Sequence, residues 1–95
     1  MKLIVSPAAA ADLVRLHRFL ADKSPTAAER ASAVLIKAIE SLDIFPERGR
    51  PSGRSNVREL IVPFGQFNYV LRYAYREQTG EIVVIRIWHG REERE

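Results

Sequence analysis

Residues Gln66–Arg76, QFNYVLRYAYR, decide the fold because large residues alternate with smaller or charged ones along the whole segment. A period of two is typical of a β-strand that has one buried face. The large residues on the face that we predict to be buried are Phe67, Tyr69, Leu71, Tyr73 and Tyr75. The opposite face carries Asn68, Val70, Arg72, Ala74 and Arg76. This segment is therefore expected to be the middle strand of a sheet that is covered on one side only.

Two more strands are predicted beside this one. Val57–Val62 precedes it across Pro63-Phe64-Gly65, and Glu81–Trp88 follows it across the turn at residues 77–80. Both connections are short enough for β-hairpins, so the three strands are expected to form an antiparallel meander. The short apolar segment Leu3–Val5 is free to join an edge of the sheet.

Two helix starts are encoded by the same dipeptide, Ser6-Pro7 and Ser24-Pro25. Serine can cap an unpaired amide, and proline at the first helical position has no amide to leave unpaired. We predict one helix from Pro7 to about Asp22 and a second that ends between residues 42 and 44, because Pro46 prevents continuation. The short turn between them predicts an antiparallel helical hairpin.

Each helix has an apolar stripe. In the first helix it comprises Ala9, Leu13, Leu16 and Leu20 with Phe19 beside them, whereas Asp12, Arg15 and Arg18 are expected to face outward. In the second helix the stripe comprises Ala28, Ala31, Leu35, Ala38 and Leu42. Val34, Ile36 and Ile39 widen it, and either a wide buried face or a partner surface accounts for these three residues.

The predicted fold is a single α+β domain over residues 1–95, with the order β-α-α-β-β-β and the helical hairpin on one face of a mainly antiparallel sheet. Residues 45–54 are rich in Pro, Gly and Arg and are expected to hold no regular element. Strand parity places nine residues on the uncovered face: Arg58, Leu60, Val62, Val70, Arg72, Ile82, Val84, Arg86 and Trp88. The same count places His89 on the covered face with Val83, Ile85 and Ile87.

Composition excludes several classes of protein. The 95 residues include no cysteine, so neither a disulfide framework nor a thiolate metal site is available, and we predict no cofactor and no metal. No apolar segment approaches the length of a membrane span, and we expect an unprocessed cytoplasmic protein. The net charge is +3, and lysine is absent from Arg48 onward although arginine is frequent. Arginine binds carboxylates and phosphates with paired N–H groups, so the second half is expected to recognise a partner.

The order and spacing of several motifs resemble the ParE/RelE superfamily, the toxins of bacterial toxin–antitoxin modules. The resemblance covers nearly the whole chain. Within the superfamily, the sequence is most similar to the ParE branch, whose members are often called plasmid stabilisation proteins. It rests on Ser6-Pro7-Ala8, Asp12-Leu13, Phe45-Pro46-Glu47-Arg48-Gly49-Arg50-Pro51, Val57-Arg58-Glu59-Leu60, Tyr69-Val70-Leu71-Arg72-Tyr73 and Ile85-Arg86-Ile87-Trp88-His89-Gly90-Arg91.

The resemblance implies a toxin that is neutralised by a small antitoxin whose C-terminal segment wraps the helices and the sheet. It also implies two alternative targets, because ParE-type members inhibit DNA gyrase whereas RelE-type members cleave messenger RNA on the ribosome. RelE-type proteins usually carry a tyrosine or histidine after the last strand, and residues 91–95 contain neither. We therefore favour the gyrase toxin over an enzyme. The ribonuclease alternative would use Arg58, Arg72, Arg86 and His89.

The residues predicted to bind the antitoxin or the target are Arg58, Leu60, Arg72, Ile82, Val84, Arg86, Trp88, Arg91, Val34, Ile36 and Ile39. Purely structural roles compete with this prediction. The arginines could pair with Glu59, Glu77 or Glu81, Trp88 could cap a small cluster beside Val62, and His89 could hydrogen-bond the strand end or the loop near Arg50. His17 is interpreted as a rim residue.

The expected partner is an acidic, amphipathic antitoxin segment that forms a hetero-oligomer with the chain. Its carboxylates would meet the arginines, and its apolar residues would meet the uncovered sheet or the second helix. A DNA-binding module is disfavoured because the net charge is modest and no helix is rich in base-reading side chains. We therefore expect no direct sequence-specific DNA binding.

Overall fold

A five-stranded sheet with a helical hairpin on one face forms the fold, as seen in a computed structural model that describes residues 2–92. The elements are β1 (Lys2–Val5), α1 (Pro7–Ala21), α2 (Pro25–Ser41), β2 (Arg50–Pro51), β3 (Val57–Phe64), β4 (Phe67–Arg76) and β5 (Glu81–His89). The strand order is β1-β5-β4-β3-β2, with β1 parallel to β5 and every other pair antiparallel. The predicted α+β class is confirmed, and the predicted elements occur in the predicted order with one addition, the two-residue strand β2. Residues 93–95, which belong to the C-terminal segment without tyrosine or histidine, lie outside the described residues.

Both helices begin at the predicted serine caps. The Ser6 Oγ accepts the Ala9 amide at 3.0 Å, and the Ser24 Oγ accepts the Ala27 amide at 3.2 Å. The Ser6 hydroxyl also donates to the Ile85 carbonyl at 2.9 Å, which ties the start of α1 to β5. The cap therefore fixes the helix to the sheet as well as satisfying its first turn.

The core lies between the helical hairpin and the sheet. All five residues of the predicted α2 stripe are buried, and Tyr69, Leu71 and Tyr73 of β4 lie beneath them. Of the predicted large face of β4, Phe67 is exposed and Tyr75 is half-buried, because these residues lie at the two ends of the strand. The α1 stripe is also correct in outline, although Phe19 lies outside it with 60% of its surface exposed.

The faces predicted for β3 were wrong. A two-residue turn at Gly65-Gln66 sets the register, so that Leu60 lies opposite Leu71 and Val62 lies opposite Tyr69. Directly opposed residues in an antiparallel pair share a face, so Leu60 and Val62 belong to the helix-covered core. Arg58 lies on the same covered face, at its rim. Parity within one strand could not reveal this, because the face is decided by pairing with the neighbouring strand.

The faces predicted for the first half of β5 were also wrong. Arg72 pairs with Arg86, but Tyr73 pairs with Val84, so Ile85 is an extra residue that forms a β-bulge. Before the bulge, Ile82 and Val84 point into the core with no exposed surface. After it, strand parity holds as predicted. The bulge thus inverts the alternation within a single strand.

The connector at residues 45–54 holds more structure than predicted. Arg50–Pro51 forms the two-residue strand β2 on the free edge of β3. The Tyr73 hydroxyl donates to the Pro46 carbonyl at 2.7 Å and accepts the Gly49 amide at 2.8 Å. A Cβ atom at residue 49 would lie 2.8 Å from the Tyr73 hydroxyl, so only glycine fits there. The buried tyrosine therefore explains the Pro-x-x-Gly spacing of this motif.

Candidate partner-binding surfaces

The uncovered face of the sheet, hereafter the open face, has a buried tryptophan at its centre. Trp88 lies opposite Val70 and has only 3% of its surface exposed. The guanidinium carbons of Arg72 and Arg86 lie 4.8 and 5.2 Å from the centre of its ring, which are cation–π distances. The tryptophan is therefore a platform beneath two arginines, and the small cluster that it joins contains Val70 in place of Val62.

Arg72 is paired with a buried carboxylate on the neighbouring strand. Its Nε and Nη2 atoms donate to Glu59 Oε2 at 3.0 and 2.8 Å. Glu59 lies directly opposite Arg72 in the ladder and is 8% exposed. The cross-strand pairing that competed with a partner role is thus present for Arg72.

Arg86 is paired with Asp12 of α1. The Arg86 Nε donates to Asp12 Oδ2 at 2.8 Å, and the Ile87 amide donates to the same oxygen at 2.8 Å. Asp12 was expected to face outward, but it is 3% exposed. The reason is that β1 pairs with β5 only as far as Val84, so the Ile87 amide needs another acceptor.

Asp12 also binds Arg15, whose Nη2 donates to Oδ1 at 3.1 Å. Burial raises the pKa of Asp12, but the hydrogen bonds from Arg86, the Ile87 amide and Arg15 outweigh burial and hold that pKa below its ordinary value. A single ionised carboxylate therefore joins α1 to the last strand.

Arg58 does not join the other two arginines. Its Nη1 donates to the Gly49 carbonyl at 2.7 Å and to the Glu47 carbonyl at 3.3 Å. It therefore anchors the connector. Of the predicted sheet residues, the open face brings together Arg72, Arg86 and Trp88, whereas Leu60, Ile82 and Val84 are core residues.

The predicted aliphatics of α2 also divide. Ile39 is a core residue, and Val34 is partly buried against the core. Ile36 remains 50% exposed. A wide buried face thus accounts for two of the three residues, and only Ile36 is available to a partner.

A groove of about 720 Å³ lies between α1 and the C-terminal end of β5. Its lining is mainly apolar and aromatic, and includes Leu16, Phe19, Leu20, Phe64, Phe67 and Tyr69. Charged side chains also line it, namely Arg15, Lys23, Arg91 and Glu92. Of these residues, sequence reasoning proposed only Arg91 for binding. The available signal was Phe19, an aromatic residue beside the apolar stripe of α1.

Two of the cations in the groove lie against aromatic rings. The Lys23 ammonium is 4.4 Å from the centre of the Phe19 ring, and the Arg91 guanidinium carbon is 4.6 Å from the centre of the Phe67 ring. Phe19 and Phe67 are 60% and 40% exposed. The groove therefore offers an acidic, amphipathic ligand both apolar contact area and positive charge.

His89 lies at one end of the groove, on the covered face as predicted. Its ring packs edge-on against Tyr69 at 5.7 Å and lies 5.2 Å from Phe67. Its Nδ1 accepts a hydrogen bond from the Arg91 amide at 3.2 Å. This is the hydrogen bond predicted at the strand end, and the alternative bond from His89 to the loop near Arg50 is not seen. His17 is exposed, and its Nδ1 atom lies 3.1 Å from the Oγ atom of Ser32 on α2.

Within residues 2–92, no cluster of three or more His, Cys, Asp or Glu residues could hold a metal ion. Over the same part of the chain, no helix is long and apolar enough to cross a bilayer.

The family model described as "ParE toxin of type II toxin-antitoxin system, parDE" matches residues 3–94, which is nearly the whole chain. The chain belongs to the ParE toxin family. It is thus a toxin of a type II toxin–antitoxin system within the ParE/RelE superfamily, as its motifs indicated.

Individual relatives agree with membership of the ParE/RelE superfamily. Toxin RelE1 of Caulobacter vibrioides is 42% identical over 92 residues, which are 97% of this chain and 96% of the relative. Toxin RelE3 of the same bacterium is 38% identical over 90 residues, or 95% of each chain. A solved structure titled "Chromosomal ParDE TA system from P. aeruginosa" superposes with a TM-score of 0.74 at 25% identity, covering 94% of this chain and 95% of that one. Sequence and structure therefore give the same family and fold.

Proposed function

We propose that this toxin inhibits DNA gyrase and that it does not cleave RNA. The observation that supports the proposal is the pairing of Arg72 with Glu59 and of Arg86 with Asp12. Both carboxylates are buried, so the two guanidinium charges are already balanced within the fold. Cleavage of RNA needs cations that stabilise the charge developing on phosphate, and balanced cations serve this purpose poorly.

The titratable groups near the groove also favour a non-enzymatic toxin. Attack by a ribose hydroxyl needs a general base whose pKa lies near neutrality and an acid for the leaving oxygen. Burial, with a smaller contribution from the Glu92 carboxylate, raises the pKa of Tyr69 above its ordinary value. Tyr69 is therefore a poor base at neutral pH. His89 has its Nδ1 engaged by the Arg91 amide.

A supercoiling assay tests the gyrase proposal. Purified toxin is titrated against gyrase and relaxed plasmid, and we expect loss of supercoiling together with accumulation of cleaved DNA. The Tyr73→Phe variant, which alters only the buried anchor of the connector, should retain the effect at a temperature where it is folded. Unchanged supercoiling with no cleaved DNA at a large excess of toxin would refute the proposal.

Messenger RNA cleavage of the RelE type is the second candidate function. It is favoured by the names of the relatives and by the proximity of His89, Tyr69 and Arg91 at one end of the groove. Of the four residues predicted for this alternative, Arg58 is not available for catalysis, because it anchors the connector from the covered face. An in vitro translation reaction separates the two functions. Truncated messenger on ribosomes, abolished by His89→Ala, would establish this alternative.

We further propose that the antitoxin places an acidic, amphipathic segment in the groove. The earlier expectation of the open sheet is revised because its aliphatics Leu60, Ile82 and Val84 are buried. The groove instead offers exposed aromatic residues and three cations. In this proposal the toxin acts in the cytoplasm, forms a hetero-oligomer with the antitoxin, and leaves operator binding to it. Titration of the toxin with the antitoxin from the adjacent reading frame tests the proposal. We expect the side chains of Phe19 and Phe67 to become protected from solvent in the complex.

A further inference from the structure

One cation of the groove is already bound by a carboxylate of the toxin itself. Arg15 Nη1 donates to the Glu92 carboxylate. The second terminal nitrogen, Nη2, donates inward to Asp12 Oδ1 at 3.1 Å and to the Ile87 carbonyl at 3.3 Å. Because the inward contacts fix the guanidinium, Nη1 would keep its position in the groove if Glu92 left.

Glu92 is held by a short turn at the end of β5. Its Oε1 accepts the His89 amide at 2.7 Å, and its own amide donates to the His89 carbonyl at 2.9 Å. Its side chain is 35% exposed, compared with 5% for the side chain of Asp12. The two carboxylates on Arg15 therefore differ. The one from Asp12 is part of the core, and the one from Glu92 is accessible to exchange with another anion.

We infer that Glu92 occupies the position of a partner carboxylate and that it must leave Arg15 when the acidic antitoxin segment docks. The inference rests on the proposed antitoxin site in the groove. An internal carboxylate bound at the edge of an aromatic groove shows which ligand chemistry the Arg15 position accepts. The toxin thus competes with its own antitoxin at one contact, which lowers the affinity of the complex and makes it depend on residue 92.

Glu92→Gln is the variant that isolates this competition. A glutamine retains an oxygen for the His89 amide, so the turn can persist, but it loses the charge that attracts Arg15. Since partly exposed ion pairs are weak, we expect the affinity for the antitoxin to rise roughly two- to fivefold. Glu77→Gln is the matched control, because it makes the same charge change in the exposed turn at the other end of β5. It should change the affinity by less than about 1.5-fold through screened charge alone.

The experiment measures the dissociation constant of the full-length toxin for its purified antitoxin by titration calorimetry at two salt concentrations. Arg15→Gln should weaken binding by roughly threefold or more. In the Arg15→Gln background, the further change Glu92→Gln should alter the affinity by no more than Glu77→Gln does, because the competed cation is gone. Thermal melts of every variant show whether each remains folded.

Two results would overturn the inference. The first is an affinity of Glu92→Gln that equals or falls below that of Glu77→Gln. The second is a gain that persists in the Arg15→Gln background, since Glu92 would then act by another route. Either result leaves the antitoxin proposal standing as long as the wild-type toxin binds in the groove. Failure of the wild-type toxin to bind, or protection of residues outside the groove, counts instead against the proposed antitoxin site.

Discussion

The open face and the groove both combine arginines with aromatic residues, but they use them in opposite ways. On the open face, Arg72 and Arg86 cover a buried tryptophan, and each is paired with a buried carboxylate. In the groove, Phe19 and Phe67 are exposed, and the carboxylate beside them is accessible. The first arrangement stabilises the fold, and the second is suited to a partner. Charge and aromatic content alone therefore do not identify a binding surface. The two surfaces are distinguished by whether the carboxylate that pairs with the arginine is buried or accessible.

The largest expected effect follows from removing the buried counter-ion of the open face. Asp12→Asn should lower the free energy of unfolding by about 3 kcal/mol, because it removes the buried charge that accepts hydrogen bonds from Arg86, Arg15 and the Ile87 amide. Urea denaturation at pH 7 measures the change. Asp43→Asn, at an exposed position after α2, is the control and should lie within about 0.5 kcal/mol of the wild type. Equal stabilities of the two variants would contradict the distinction between the surfaces.

A smaller loss is expected when the connector loses its anchor. Tyr73→Phe leaves the Gly49 amide and the Pro46 carbonyl without their partner, which should cost about 1–3 kcal/mol of stability. Tyr75→Phe removes the same hydroxyl from a half-buried position on the same strand and serves as the control. Hydrogen exchange of the Gly49 amide would check the mechanism, and unchanged protection in Tyr73→Phe would argue against it.

The groove should show the reverse pattern, in which affinity changes more than stability. Phe19→Ser removes a side chain that is 60% exposed, so the free energy of unfolding should change by no more than about 0.5 kcal/mol. Antitoxin binding should weaken by about 1–2 kcal/mol if Phe19 is a contact. Val14→Ser is the control on α1, because Val14 is 50% exposed and does not line the groove. Equal antitoxin affinities of the two variants would exclude the groove as the antitoxin-binding site.

The smallest effect concerns the pH dependence of stability. The pKa of Asp12 is lowered by folding, so its stabilising contribution is complete above the pKa of the unfolded chain. The contribution is lost as the pH falls through the folded pKa. The difference in stability between the wild type and Asp12→Asn should therefore narrow in acid. Urea midpoints measured from pH 7 downward give this difference, and a constant gap would show that Asp12 does not carry the ionic contact.

Local chemistry in the sequence was sufficient for the elements of the fold. The serine-proline dipeptides gave both helix starts, and the period of β4 gave its three buried central residues. The faces of β3 and β5 were not accessible in the same way. For Leu60 and Val62 the face depends on the hairpin register, and for Ile82 and Val84 it depends on a bulge that no local motif marks. Pairing between strands is a nonlocal property, so single-strand parity could not supply it.

The candidate site was only partly predictable, because some of its contacts also join elements that are distant in the sequence. Arg72, Arg86 and Trp88 were correctly placed together, and Glu59 was named as a possible partner of the arginines. Asp12 was missed, since it was interpreted as a solvent-facing residue of α1. Asp12 accepts a hydrogen bond from the Ile87 amide, which lies 75 residues later in the sequence, and this amide is available because β1 stops pairing with β5 at Val84. The groove depends on the approach of α1 to the end of β5. Neither element indicates this approach by itself.

The bulge at Ile85 places a limit on how this protein can be redesigned. Pairing Ile85 into the ladder, with every residue of β5 kept, would remove the bulge, but one half of β5 would then have to rotate by half a turn. Either the guanidinium of Arg86 would enter the apolar interior, or Ile82 and Val84 would be turned out to water. An engineer who wishes to regularise this strand must therefore either rewrite the side chains of one half or delete Ile85, which leaves Val84 and Arg86 as neighbours on the opposite faces that they already occupy.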